Sequence, residues 1–211
     1  MSVDERYRGM SRFLLIRHAA VKLAANIIGG RSPGIHLSAG GHEQARRLVM
    51  TLRAESIRAI YTSPRERARE TAQAIAEERR MPVEIAPELD EIDYGDWTGL
   101  SMEQLSARPR WQAFNTIRSC TRIPGGELIT EVQARVTTLI ERLQAQDRTG
   151  SVLLISHCDV IRAALAYYLS FPLDFMLRLE ISPASVSILE LTAAGPSITC
   201  VNYQENFPSD A

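Results

Sequence analysis

The sequence predicts an α/β fold with a mostly parallel central sheet flanked by helices, and three observations point to it. Short apolar runs at Phe13 to Ile16, Ala59 to Thr62 and Val152 to Ile155 have the length of strands buried on both faces. Stretches with helical apolar spacing stand between these runs, which is the alternation a parallel sheet requires. The 211 residues, 45% hydrophobic and 23% charged, suit one domain over 1–211, because single cores stop growing at about 250–300 residues. Ligands of such sheets sit beyond the carboxyl ends of the strands, so the polar residues that follow each run are the first candidates for a site.

Taken in order, Phe13 to Ile16 ends abruptly at Arg17-His18, and Ala19 to Leu37, with Gly29-Gly30 and Pro33-Gly34, reads as loop. Ser38 caps a helix to about Leu52, whose Ala45, Leu48, Val49 and Leu52 recur at helical spacing. After the second strand, Ser63-Pro64 opens a helix through Ala76, with proline near the first helical position. Val83 to Ile85 is a short strand, and the acidic segment Glu88 to Trp97 is a site loop broken by Gly95. Two short helices fill Met102 to Arg118, Pro124-Gly125-Gly126 is a turn, and Leu128 to Leu143 has the period of a longer helix. Val152 to Ile155 ends in Ser156-His157 and leads into a helix from Val160 to Leu169, repeating the pattern of Arg17-His18. Leu177 to Ile181, Val186 to Leu191 and Ile198 to Tyr203 are strand candidates separated by Pro183 and Gly195-Pro196.

Composition narrows the function. Lys and Arg total 24 against 25 Asp and Glu, a formal charge of -1, so no global field draws the chain to nucleic acid or an anionic membrane. No run approaches the roughly 18 apolar residues of a membrane span, and Met1 to Arg12 lacks the apolar core of a secretory signal. The expected location is the cytoplasm. Cys120, Cys158 and Cys200 form no CxxC pair, and His18, His36, His42 and His157 show no metal-binding spacing. Chemistry without a metal or other cofactor is expected.

Phosphoryl transfer needs cations and donors for the phosphoryl oxygens, an in-line nucleophile and an acid for the leaving oxygen. Arg17 and His18 leave the first strand, Arg67 lies in the first turns after Ser63-Pro64, Glu91 sits in the acidic loop and His157 leaves a later strand. All can converge on one mouth of the sheet.

Leu14-Leu15-Ile16-Arg17-His18, Tyr61-Thr62-Ser63-Pro64-Arg65-Glu66-Arg67-Ala68-Arg69-Glu70-Thr71 and Ile155-Ser156-His157 resemble the three signatures of the histidine phosphatase superfamily, also called phosphoglycerate mutase-like. Leu89 to Trp97 around the acid and Pro124-Gly125-Gly126-Glu127 are two weaker features in the same order, so the resemblance spans about 12–190. It implies a three-layer sandwich, with His18 as nucleophile, Arg17, Arg67 and His157 holding the phosphoryl oxygens, and Glu91 as proton donor. The physical chemistry is compatible: two guanidiniums keep an imidazole unprotonated and nucleophilic, and Arg forks hold phosphoryl oxygens. A carboxyl that donates a proton needs an environment that raises its pKa.

Simpler readings stand beside these. A histidine at a strand end can be purely structural, Arg65 and Arg69 compete with Arg67, and Glu88, Asp90, Asp93 and Asp96 compete with Glu91. Trp97 and Trp111 read as packing residues and Cys158 as a small buried one. The chain also departs from the family pattern. Ala19 replaces the usual glycine, Ala20, Val21 and Ala24 replace polar residues, and Asn26 lies two residues beyond the usual asparagine. Arg31 is therefore the better candidate in this loop for touching substrate, against an exposed loop arginine.

The region between the acidic loop and Pro124 is short, whereas the family's mutases carry a longer, basic insertion there, and this favours a phosphatase. Arg108, Arg110, Arg118 and Arg122 could still serve a mutase by binding an acidic metabolite. A phosphate-binding module without turnover is the third reading. The expected partner is a small phosphorylated metabolite or a phosphoprotein, and the β-prone tail Val186 to Val201 could pair in a homodimer.

Overall fold

The computed structural model describes residues 10–23, 26–146 and 149–204. Ala24, and the part of the Met1 to Arg12 leader before Met10, lie outside the described residues. The strands are β1 (Ser11–Arg17), β2 (Ile57–Thr62), β3 (Val83–Ile85), β4 (Ser151–Ser156), β5 (Val186–Thr192) and β6 (Gly195–Tyr203). The helices are α1 (Ala39–Thr51), α2 (Glu66–Arg79), α3 (Met102–Ser106), α4 (Pro109–Thr116), α5 (Ile129–Gln144) and α6 (Cys158–Tyr168).

The six strands lie in the order β3-β2-β4-β1-β5-β6. β3, β2, β4 and β1 are parallel neighbours, and β5 alone runs against the rest, antiparallel to both β1 and β6. The mostly parallel sheet expected from the apolar runs is thus present. The tail adds two strands to its own sheet and leaves β6 at the edge.

β1 and β4 are central and covered on both faces, which is why their sequences are continuous apolar runs rather than alternating ones. Phe13 and Leu15 pack with Val152 and Leu154 against Val132, Val136, Leu139 and Ile140 of α5 and Val160, Ile161 and Ala164 of α6. Leu14, Ile16, Leu153 and Ile155 point the other way, onto Leu48 of α1 and Ala68, Ala72 and Ile75 of α2. Helix, sheet and helix make three layers. Trp97, Trp111 and Phe114 pack edge-on within the first cluster, Trp97 and Trp111 with ring centroids 5.2 Å apart, so both tryptophans are core residues.

Two sequence expectations need correction. Leu177 to Ile181 is no strand: Leu173–Arg178 forms a 3₁₀ turn after Pro172. Its carbonyl groups serve side chains instead of a ladder, with Arg162 Nε donating to Leu179 O at 2.7 Å and Arg17 Nη1 to Ile181 O at 2.6 Å. The helix after β2 begins at Glu66 with Arg65 as its N-cap, so Pro64 precedes the helix rather than opening it. Ser38 does cap α1, accepting from Gly41 N–H at 3.0 Å.

The register positions the site. Arg17 pairs with Ser156 across the β1–β4 ladder, so His18 and His157 leave the sheet side by side. His18 N–H donates to Ser156 O at 2.9 Å, and Ser63 N–H donates to Ile155 O at 2.9 Å, which brings the end of β2 to the same place. The acidic loop is clamped over these ends by the Pro124-Gly125-Gly126 turn, where Glu127 N–H donates to Asp93 O at 3.0 Å and Asp96 N–H to Pro124 O at 2.9 Å. A Cβ at Gly126 would stand 2.2 Å from Asp93 O, a backbone atom that cannot swing aside. Gly126→Ala is therefore expected to lower stability by about 1–3 kcal/mol, read from the urea midpoint at unchanged slope. A midpoint equal to wild type would show that turn and loop are not tightly interlocked.

Candidate active site

A cavity of about 250 Å³ opens at the carboxyl ends of β1 and β4, lined among others by Arg17, His18, Gly30, Arg67, Glu91, Tyr94 and Asp159. His18 directly follows β1, and its Nδ1 faces Ala19 O at 2.8 Å. A carbonyl only accepts, so Nδ1 carries the proton and Nε2 keeps its lone pair. Ala19, where the family pattern has glycine, is held by its N–H, which donates to Thr71 Oγ1 at 3.0 Å.

Arg67 is the second residue of α2 and only 3% exposed. Its Nε lies 3.3 Å from His18 Nε2, while its Nη2 lies 2.8 Å from Gly30 O, 3.2 Å from His157 Nδ1 and 3.7 Å from Glu91 Oε2. Its Nη1 is buried without an acceptor, as is Nε of Arg17. His157 is fully buried and its Nε2 lies 2.8 Å from Ser63 Oγ. Facing an arginine donor at Nδ1, the ring places its proton on Nε2 and donates to Ser63, whose hydroxyl lies 3.4 Å from Asp90 Oδ1. The two imidazoles meet edge to face with centroids 5.1 Å apart.

Burial and Arg67, then Arg17, push the His18 imidazole down to about 3, so it is neutral across the physiological range. His157 is held well below the ordinary histidine value by burial, with His18 and the surrounding arginines adding to it. Glu91 moves the opposite way: burial lifts its carboxyl to about 7, Arg67 opposing and Asp159 assisting. Its Oε2 lies 3.5 Å from His157 Nδ1, and Ile92 N–H donates to Oε1 at 3.0 Å.

The competing carboxylates are occupied elsewhere. Asp90 pairs with Arg65 at 2.9 Å and supports Glu91 by accepting its N–H at 2.8 Å. Glu88 pairs with Arg142, Asp93 accepts from Gly95 N–H, and Asp96 is exposed. Arg69 is likewise exposed, leaving Arg67 as the α2 arginine at the cavity. Arg17, His18, Arg67, Glu91 and His157 are thus brought together.

Arg31 is not among them. Its Nε donates to Glu91 O at 2.8 Å and its Nη2 pairs with Glu127 at 2.9 Å, with Asp90 and Asp93 each 3.5 Å away. Surrounded by carboxylates, it ties down the acidic loop from outside the cavity. Glu127 completes the tie by accepting Asp93 N–H at 2.9 Å and pairing with Arg135, which reaches Glu88 O at 2.5 Å. Asn26 is exposed.

Sequence reading missed Asp159. It lies one turn from β4 at the start of α6 and accepts from Arg118 at 2.9 Å, from Tyr94 O–H at 3.0 Å and from Arg162 at 3.1 Å. These partners hold its carboxyl below the ordinary range despite burial, while burial and Asp159 push the Tyr94 phenol well above its own. An Asp two residues past the His157 motif was visible, but its partners come from 65 and 41 positions away. Cys158 keeps its proton, burial raising the thiol to about 11. Among the described residues no group of three or more His, Cys, Asp and Glu side chains is arranged to hold a metal ion.

The buried Arg118–Asp159 pair and the surface pair Arg122–Glu131 should respond differently to loss of the cation. Arg118→Ala leaves Asp159 short of a partner in the interior and is expected to cost on the order of 3 kcal/mol. Arg122→Ala, at 47% exposure, should leave the urea midpoint unchanged. Equal midpoints for the two variants would contradict the interior role of Arg118.

Comparison with known proteins agrees with the geometry. The chain is 30% identical over 199 residues to the adenosylcobalamin/α-ribazole phosphatase of Escherichia coli, covering 90% of this chain and 95% of that one. It is 28% identical over 187 residues to phosphoserine phosphatase 1 of Hydrogenobacter thermophilus, covering 86% and 87%. The crystal structure of the α-ribazole phosphatase from Shigella flexneri superposes with a TM-score of 0.81 at 26% identity, over 92% of this chain and all of that one. No described helix is long and apolar enough to cross a membrane. Residues 13–204 match the model of branch 1 of the histidine phosphatase superfamily, and the chain belongs to that family.

Proposed function

We propose that the chain is a phosphomonoester hydrolase that works without a metal through a phosphohistidine on His18 Nε2. One observation carries this: Arg67 and Arg17, each with a buried nitrogen that has no acceptor, Nη1 and Nε respectively, line the same cavity as a neutral imidazole whose unprotonated Nε2 faces Arg67 Nε. A phosphoryl dianion supplies the acceptors, and its arrival favours the protonated, donating form of His157.

In the first half-reaction the Nε2 lone pair attacks phosphorus, the P–O ester bond breaks, and Glu91 gives its proton to the leaving oxygen. In the second, water attacks phosphorus, its proton passes to the Glu91 carboxylate, and the N–P bond breaks to restore His18. A pKa of about 7 suits both directions of this transfer. Arg31 acts as a positioning residue, since its grip on the Glu91 carbonyl fixes the loop that carries the acid.

Hydrolysis is favoured over mutase transfer because the basic residues a mutase would use are committed elsewhere. Arg118 is buried on Asp159, Arg122 pairs with Glu131, and the exposed Arg108 and Arg110 do not line the cavity. Both curated relatives named above are phosphatases, which supports the same choice. A cavity of about 250 Å³ suits a small phosphorylated metabolite. Cys120, Cys158 and Cys200 as free thiols support a cytoplasmic setting.

Glu91→Gln should slow hydrolysis of an alkyl phosphate by about 10²–10⁴-fold. With p-nitrophenyl phosphate, whose leaving group needs no acid, this variant should release a burst of phenol and then stall as phosphoenzyme. Parallel loss on both esters without a burst would remove Glu91 from the acid–base role, and no turnover of any ester by wild type would favour a binding module.

The pH profile carries a further expectation. His18 must be neutral, above about 3, and Glu91 protonated, below about 7, so kcat/KM for an alkyl phosphate should fall tenfold per unit above about 7. The substrate's second ionisation, near about 6, affects wild type and Glu91→Gln alike, so the ratio of their profiles isolates Glu91. A ratio independent of pH would contradict the assignment.

A further inference from the structure

We infer that the enzyme selects phosphomonoesters whose alcohol is uncharged and largely apolar, and rejects alcohols bearing a second anionic group; this rests on the phosphatase reading above. Among the described residues the cations that line the cavity are Arg17 and Arg67, both committed to the phosphoryl group. Beyond them the wall is built from Val21, Leu23, Ile27, Ile28 and Ile35. Leu23 and Ile27 keep 36% and 38% of their surface exposed, an apolar lip at the mouth of a charged site. Leu23 and Ile35 converge over Gly29, where a Cβ would stand 3.0 and 2.9 Å from their side chains, so the glycine leaves room beneath this lip.

The opposite side carries Asp159, whose oxygens are already taken by Arg118, Arg162 and Tyr94. Asp159 lines the cavity, and the arginines that neutralise it, Arg118 and Arg162, are not among the lining residues. Arg31, a cation of the same loop, is drawn outward by Glu127, Asp90 and Asp93. Among the described residues a second carboxylate or phosphate on the substrate therefore finds no lining guanidinium beyond the two that hold the phosphoryl group. A hydrocarbon chain or ring leaves water for the isoleucine and leucine wall, a gain proportional to the apolar area covered.

The test uses three esters with similar leaving oxygens: ethyl phosphate, hexyl phosphate and 5-carboxypentyl phosphate. Wild type should show kcat/KM for hexyl phosphate about tenfold above ethyl phosphate, as partial cover of four methylenes allows. The carboxylated ester should fall to the ethyl value or below. Ile27→Arg, which places a cation on the lip, should raise the ratio of carboxypentyl to hexyl turnover by about two- to fivefold, roughly what an exposed charge pair provides. Turnover of 5-carboxypentyl phosphate equal to or above that of hexyl phosphate in wild type, or no preference for hexyl over ethyl, would overturn the inference while p-nitrophenyl phosphate is still hydrolysed. If p-nitrophenyl phosphate is inert as well, the phosphatase reading itself fails.

Discussion

The Arg67 guanidinium is the constraint on which the site depends. It is a cation with 3% exposure whose nearest charged partner, Glu91, is 3.7 Å away, and whose other neighbours are two imidazoles and a carbonyl. A buried charge so incompletely paired is costly, and the rest of the architecture keeps it in place. α2 is pinned to the sheet by Ala68, Ala72 and Ile75, each fully buried. Gly30 O closes one side, and Thr71, donating to Arg67 O at 2.7 Å, links the helix to the Ala19 turn. An interior that holds a positive charge without a full counterion is prepared for an anion.

Burial sets the two titrations apart, because it disfavours charge on both groups. Burial lowers His18, with Arg67 adding to it, and raises Glu91 against Arg67, so the nucleophile stays deprotonated while the acid keeps its proton near neutrality. Groups with pKa values pushed in opposite directions within one cavity divide nucleophile from proton donor. The acidic loop holds its part through a chain of ion pairs running from Arg65 and Arg31 through Asp90 and Glu127 to Arg135. Most of these residues never reach the cavity, and their work is to hold the Glu91 backbone.

Much of this was legible in the sequence because strand periodicity is local. Apolar runs ending in Arg17-His18 and Ser156-His157 revealed both central strands and the polar exits where the site forms. Selecting Glu91 from five acidic residues rested on the family pattern alone, since burial and pairing decide it and neither is local. The ties of Arg31 were not legible for the same reason: a loop arginine beside glycines looks free until Glu127, 96 positions away, is seen to hold it. Asp159 and Tyr94 escaped notice because their partners meet only in the tertiary structure, Arg118 from the loop after α4 and Tyr94 from the acidic loop. The Leu177 to Ile181 segment read as a strand from its composition, yet its carbonyls are claimed by Arg17 and Arg162.

The central claim is that a neutral His18 Nε2, held beside Arg67, takes the phosphoryl group from the ester. Intact-mass analysis after an acid-free quench with p-nitrophenyl phosphate, followed by peptide mapping, tests it most directly, because phosphohistidine does not survive acid. The account predicts one phosphoryl adduct, acid-labile, mapped to the peptide containing His18 and absent from His18→Ala, whose turnover is lost. An adduct on another residue, or normal turnover by His18→Ala, would contradict it.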